Sequence, residues 1–323
     1  PMGNGQNRPK VNGNFINVET FANDIQIGFA HTYSLLVEHK EALLDANGPV
    51  AAFANVEVRY IPRATNIYSK LLYESYHPDM LRNNLIRERF FDKLWLQVEV
   101  RPYLAQIIEA EQTDMHRGDV PHFVTRPDSV DIWDSRGQRF QDYFEQSGLE
   151  LVYERLRKLN SEDLARQLWF IEASFTSLSM SGGHASWPFH MLTYPTQAAD
   201  PQTLLAAARQ VGDRLQFLAL EDSDGLGWVG LTLANEKHWM LAPMGADLYS
   251  GTGGIALFLA YLGKVTQDKN YTKLAQQAAE NMLTQLDFIK GKTTAIGGFS
   301  GYGCRMYTLA HLGILWDQPH LLE

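Results

Sequence analysis

The stretch Ser250-Gly251-Thr252-Gly253-Gly254-Ile255-Ala256-Leu257-Phe258-Leu259-Ala260-Tyr261-Leu262-Gly263 returns fifty residues later as Ser300-Gly301-Tyr302-Gly303, followed by Leu309-Ala310-His311-Leu312-Gly313. Seven positions match in register: Ser, Gly, Gly, Leu, Ala, Leu and Gly. This is an internal repeat. Each copy is a glycine-rich loop feeding a helix of small and apolar residues, and residues 271–286 read as a second helix between the two loops. Small residues let neighbouring helices approach closely. Helix pairs at this period predict the first two hairpins of an α/α toroid. Such a ring needs about six or seven units, because one unit cannot bury its apolar face alone. Two units therefore predict a ring that is truncated at Glu323.

Upstream of the repeat, residues 203–220 read as a helix with a broad apolar face. Residues 179–201 carry Gly182-Gly183, Pro188, Pro195 and Pro201 and read as a linker. The chain is thus expected to hold two domains, 1–195 and 196–323. In the first, residues 20–45 carry Phe21, Ile25, Phe29, Leu36 and Leu43 as one helical stripe, closed by Asn47-Gly48-Pro49. Val56-Glu57-Val58-Arg59-Tyr60-Ile61 alternates as a half-buried strand does, and Pro62 ends it. Residues 66–74 and 80–99 are helical in pattern, 114–135 loop-like, and Ser161 is the expected N-cap of a further helix. The fold class is mainly α with a minor β element.

The 323 residues are 45% apolar and 20% charged, which excludes bulk disorder. A net charge of −9 argues against a nucleic-acid partner, which needs a basic face. The longest apolar run, 255–262, is too short to span a membrane. A single cysteine, Cys304, excludes an intrachain disulfide and any zinc site with two thiolates, and fits a reducing, cytoplasmic setting. The N-terminus is polar, is no signal peptide, and lacks an initiator methionine, as a fragment would.

Gly251-Thr252-Gly253-Gly254-Ile255-Ala256 fits the dinucleotide pattern, but no convincing strand precedes it and the copy at Gly301 sits in the same repeat. A helix-start loop using glycine for close packing is the favoured reading. The ten histidines are scattered without a close His/carboxylate ligand pattern, and Cys304 reads as a buried structural thiol. The segment from Arg59 to Thr65 is more informative. A guanidinium at a strand end and a hydroxyl at a helix start can share one phosphate oxyanion site. On residue chemistry alone, the competing reading is favoured: Thr65 caps the helix and Arg59 pairs with a surface acid.

The string Val58-Arg59-Tyr60-Ile61-Pro62-Arg63-Ala64-Thr65-Asn66-Ile67-Tyr68, with His77-Pro78, Arg87-Glu88-Arg89-Phe90-Phe91-Asp92-Lys93-Leu94-Trp95, Gly118-Asp119-Val120-Pro121-His122-Phe123 and Leu164-Ala165-Arg166-Gln167-Leu168-Trp169, resembles the class II lanthipeptide synthetases (LanM). Asp247-Leu248-Tyr249-Ser250-Gly251-Thr252-Gly253-Gly254-Ile255-Ala256-Leu257-Phe258-Leu259 resembles the opening of that family's LanC-like cyclase, and Gly297-Gly298-Phe299-Ser300-Gly301 resembles its next repeat. Each string is moderately specific; their joint order is strongly so. The resemblance implies the C-terminal part of a kinase-like dehydratase lobe followed by the first two hairpin repeats of the toroid. It implies phosphorylation of Ser/Thr in a precursor peptide (leader plus a Ser/Thr/Cys-containing core), elimination of the phosphate, and addition of Cys thiols to form (methyl)lanthionine. The full-length family enzyme uses ATP, Mg²⁺ and Zn²⁺; none is expected in this chain, because the corresponding motifs fall outside it. The family's elimination step uses an Arg and a Thr six residues apart, which makes Arg59 and Thr65 the catalytic candidates; the base cannot be placed. The isolated chain is expected to lack kinase and cyclase activity. The alternative is a non-catalytic helical peptide-binding or scaffold protein.

Overall fold

The computed structural model describes residues 9–181, 198, 200–222, 225–235, 238–289, 291 and 295–322. The expected linker falls largely outside these residues. Two compact units divide the chain, His31–Asp163 on the one hand and Pro1–Ala30 with Leu164–Glu323 on the other.

The chain opens with a short hairpin, β1 (Lys10–Val11) and β2 (Asn14–Phe15), and a helical segment that is broken rather than continuous. A 3-10 turn at Val18–Phe21 leads into α1 (Ala22–Glu38), and after His39 comes α2 (Lys40–Leu44). Most of the apolar stripe does not face a core: Phe21, Ile25, Phe29 and Leu36 stay exposed, and Tyr33 is the buried residue of α1.

In the first unit named, β3 (Val58–Tyr60) falls inside the alternating stretch and stops before Pro62. Then follow α3 (Thr65–Ser75), α4 (Asn84–Phe91, capped by Asn83) with a 3-10 turn at Asp92–Gln97, and α5 (Ile108–His116). Residues 114–135, expected to be loop, also contain β4 (Phe123–Thr125) and β5 (Ile132–Asp134). With β6 (Arg139–Phe140) they extend β3 into a four-stranded antiparallel sheet in the order β3-β4-β5-β6. Strands of two or three residues, set off from one another by Pro127 and Gly137, are too short to show a period. The sheet buries Phe123 and Ile132 with Leu104, Ile107 and Tyr143, and a second cluster joins Tyr68, Leu72, Phe91, Leu94, Ile108 and Met115. The next helix, α6 (Gly148–Arg157), starts on Ser147, whose hydroxyl accepts the Glu150 amide. Asn160, not Ser161, caps α7 (Ser161–Ser181): its Oδ1 accepts the Asp163 amide at 2.9 Å.

The other unit continues with α8 (Pro201–Leu218), held at its start by Asp200, which accepts the amides of Gln202 and Thr203. Two hairpins follow, β7 (Leu220–Asp222) with β8 (Gly225–Gly227), and β9 (Val229–Asn235) with β10 (His238–Pro243). The sequence reading contained no strands here. Beyond Pro243 the described regular elements are helical: α9 (Thr252–Thr266), α10 (Lys269–Ile289), α11 (Tyr302–Trp316) and a closing 3-10 turn. Mostly helical architecture is therefore correct for the chain. The core joins Ala256, Leu259 and Leu262 of α9 to Ala275, Ala278 and Ala279 of α10 and Leu309 and Leu312 of α11.

The repeat has structural counterparts at the same offset. Both α9 and α11 span fifteen residues and end on a left-handed residue, Gln267 and Asp317. The Thr252 amide donates to the Gly245 carbonyl, and the Tyr302 amide to that of Ala295. A Cβ at Gly251 would strike the first carbonyl and one at Gly301 the second. The units differ at the cap: Gly301 has φ +77° where Gly251 is extended. Equivalent positions even meet, with Tyr261 Oη 3.4 Å from His311 Nδ1.

Candidate functional site

The segment from β3 into α3 carries both candidates. Arg59 lies on β3, opposite Val124 of β4. Tyr60, next to it, turns into the core against Tyr143 and Phe144, so alternation puts Arg59 on the outer face. Val58, two residues from Tyr60 on the edge strand, is 44% exposed. Arg59 is exposed, and no carboxylate among the described residues lies within ion-pair reach of it. Thr65 is the first residue of α3. Ala64 occupies the N-cap, and no side chain caps the helix, so the Thr65 hydroxyl is not spent on capping. Among the described residues, then, Arg59 has no acid partner and Thr65 makes no side-chain cap.

Between them stands a third residue, Arg63, in the turn after Pro62. Arg63 is 2% exposed. Its Nε and Nη2 donate to the two carboxylate oxygens of Glu111 at 2.8 and 3.2 Å, and Nη1 donates to Gln97 Oε1 at 2.9 Å. Tyr68 Oη donates to Glu111 Oε1 at 2.5 Å. Glu111 is fully buried on α5. Burial pushes its carboxyl up from the ordinary value, against the hydrogen bonds from Arg63 and Tyr68. Burial also raises the Tyr68 phenol, and the adjacent Glu111 charge raises it further. This network ties the turn after Pro62 to α3, α5 and the 3-10 turn, fixing the backbone between Arg59 and Thr65 from beneath. Sequence offered no route to it: Arg63 and Glu111 are 48 residues apart, and an isolated Arg in a turn reads as a surface residue.

The other sequence candidates resolve as packing. The Gly251 loop folds against its own upstream chain, where Gly245 and Asp247 backbone atoms leave room for glycine alone; this is close packing, as expected of a helix-start loop. Cys304 is 1% exposed, and burial raises its thiol. No group of three or more His, Cys, Asp or Glu among the described residues is arranged to hold a metal. None of the described helices is long and apolar enough to cross a membrane.

Comparison with known proteins gives a class first. Residues 1–126 match a domain of unknown function, DUF4135, and residues 242–323 match the lanthionine synthetase C-like protein family. A particular relative follows. The chain is 26% identical over 275 residues to the lacticin 481/lactococcin biosynthesis protein LcnDR2 of Lactococcus lactis subsp. lactis. That match covers 83% of this chain and 28% of that protein, so the chain spans under a third of the curated relative. The two domains in this order, with this relative, bear out the resemblance to the class II lanthipeptide synthetases.

Proposed function

We propose that the chain is the portion of a lanthipeptide synthetase in which dehydration ends and cyclisation begins, with a precursor peptide as substrate and the cytoplasm as its setting. Residues 1–195 form the C-terminal part of a kinase-like dehydratase, and residues 196–323 the first two hairpins of a cyclase toroid. In the full-length enzyme ATP would donate the phosphoryl group with Mg²⁺ bound to its phosphates, and Zn²⁺ would activate the thiol. The described residues do not fit the zinc: Cys304 is a buried thiol whose ionisation burial disfavours, and no group of three candidate ligands forms among them.

Arg59 and Thr65 serve the elimination. A base removes the Cα proton of the phosphorylated Ser or Thr, and that electron pair forms the Cα=Cβ bond. The Cβ–O bond breaks, and its pair leaves with the phosphate. Charge grows on the leaving oxygens, where a fixed guanidinium and a hydroxyl donor stabilise it. The observation that carries this reading is Arg59 itself, an outward guanidinium without a carboxylate partner among the described residues, on a strand whose next turn is held by the buried Arg63–Glu111 pair.

The test uses the full-length enzyme bearing this segment. Arg59→Ala and Thr65→Ala should leave phosphorylation intact and cause phosphopeptide to accumulate in the mass spectrum. Dehydrated peptide released at the parent rate by both variants would return the chain to a non-catalytic scaffold.

A further inference from the structure

The register of the sheet sets four residues in one row across its strands: Arg59 opposite Val124, Val124 opposite Trp133, and Trp133 opposite Arg139. Residues directly opposite in antiparallel strands share a face. The neighbours of three of them, Tyr60, Phe123 and Ile132, enter the core, so this row looks outward. The Arg126 guanidinium lies over the Trp133 ring, 5.2 Å from its centroid. Arg126 is also 4.0 Å from Glu57 Oε1, and Arg139 is paired with the buried Asp131. The Arg126–Glu57 contact is long and solvent-exposed, a kind of pair that contributes little. The face thus presents three arginines around an indole, two with one carboxylate each and Arg59 with none among the described residues. It does so on a chain whose net charge is −9.

We propose that this sheet face docks the extended peptide segment flanking the phosphorylated residue, with Arg126 stacked on Trp133 as the binding platform. The proposal rests on Arg59 holding the phosphate. Charge complementarity sets the occupant: an anionic, extended peptide. Its reach follows from geometry. Strands lie about 4.8 Å apart and an extended chain advances about 3.3 Å per residue. From Arg59, the indole is two strands away and is met by the residue about three positions from the phosphate; Arg139 is met about four positions away.

The test measures phosphate release from a synthetic phosphoserine peptide by the full-length enzyme carrying this chain. Arg126→Ala and Trp133→Leu should raise KM about tenfold with kcat held within about twofold, the signature of lost ground-state binding. Trp133→Phe, which keeps an aromatic face, should recover most of the loss. Trimming the peptide to fewer than about three residues on the docking side should raise the parent KM and erase the difference between parent and Trp133→Leu. An exposed charge reversal, Arg126→Glu, serves if Trp133→Leu lowers the melting temperature. Unchanged KM in Arg126→Ala, Arg126→Glu and Trp133→Leu, with Arg59→Ala still blocking release, would overturn the docking face and leave the elimination site standing. Release unaffected by Arg59→Ala would instead remove the reading on which it rests. Stronger inhibition by a single-stranded RNA oligonucleotide than by the unphosphorylated peptide would assign the face to nucleic acid and also overturn the proposal.

Discussion

Arg63 donates through Nε and Nη2 to both carboxylate oxygens of Glu111, and both side chains are essentially excluded from solvent. Removing one partner strands the other charge in the interior, which costs about 3–5 kcal/mol. Arg63→Ala and Glu111→Ala should each lose about that much stability in urea unfolding, and the double variant should lose less than the sum. Additive losses would show that the two side chains do not act as a pair.

The same carboxyl gives the pair a pH signature. Burial holds Glu111 above its ordinary value of 4.5, so the folded chain keeps that proton longer than the unfolded chain. Its contribution is complete below the unfolded value and declines as pH rises through the folded one. The stability of the parent relative to Glu111→Gln should therefore fall as pH rises from about 4 towards neutrality. A difference that grows with pH would mean that the Arg63 charge outweighs burial.

The repeat makes a matched prediction. An alanine at Gly251 or Gly301 pushes its Cβ into the carbonyl seven residues upstream of the following residue, Gly245 or Ala295, and Gly301 also sits at φ +77°. Both substitutions should destabilise by more than about 1 kcal/mol, Gly301→Ala the more, because it adds backbone strain to the clash. Calorimetry checks this; a neutral Gly251→Ala would mean that the two loops are not equivalent.

Cys304 tests burial directly. Its thiol is 1% exposed and shifted up by burial. Iodoacetamide labelling at neutral pH should follow the unfolding rate and be nearly absent under native conditions. Rapid native labelling would place the thiol at the surface.

Much of the helical fold was legible because its signals are local. Residues 250–263 and 300–313 repeat in sequence, and their helices and glycine contacts repeat in space. Pro62 ends β3 as its missing amide requires. The stripe from Phe21 to Leu36 misled, because helical period marks an apolar face but not what covers it. The sheet built from β4, β5 and β6 was missed, since strands of two or three residues carry no period. Arg59 and Thr65 were visible as a motif. The Arg63–Glu111 support and the row through Trp133 exist only after the chain has folded, because they join residues 48 and 74 positions apart.

The elimination role of Arg59 and Thr65 is tested most directly by bypassing phosphorylation. A synthetic phosphoserine peptide is given to the full-length enzyme carrying this chain, without nucleotide, and inorganic phosphate and dehydroalanine are measured together. Arg59→Ala and Thr65→Ala should each slow release about a hundred- to a thousandfold, the cost of one preorganised donor to a developing anion, with melting temperature unchanged. Phosphate and dehydroalanine appearing at the parent rate from both variants would contradict the account.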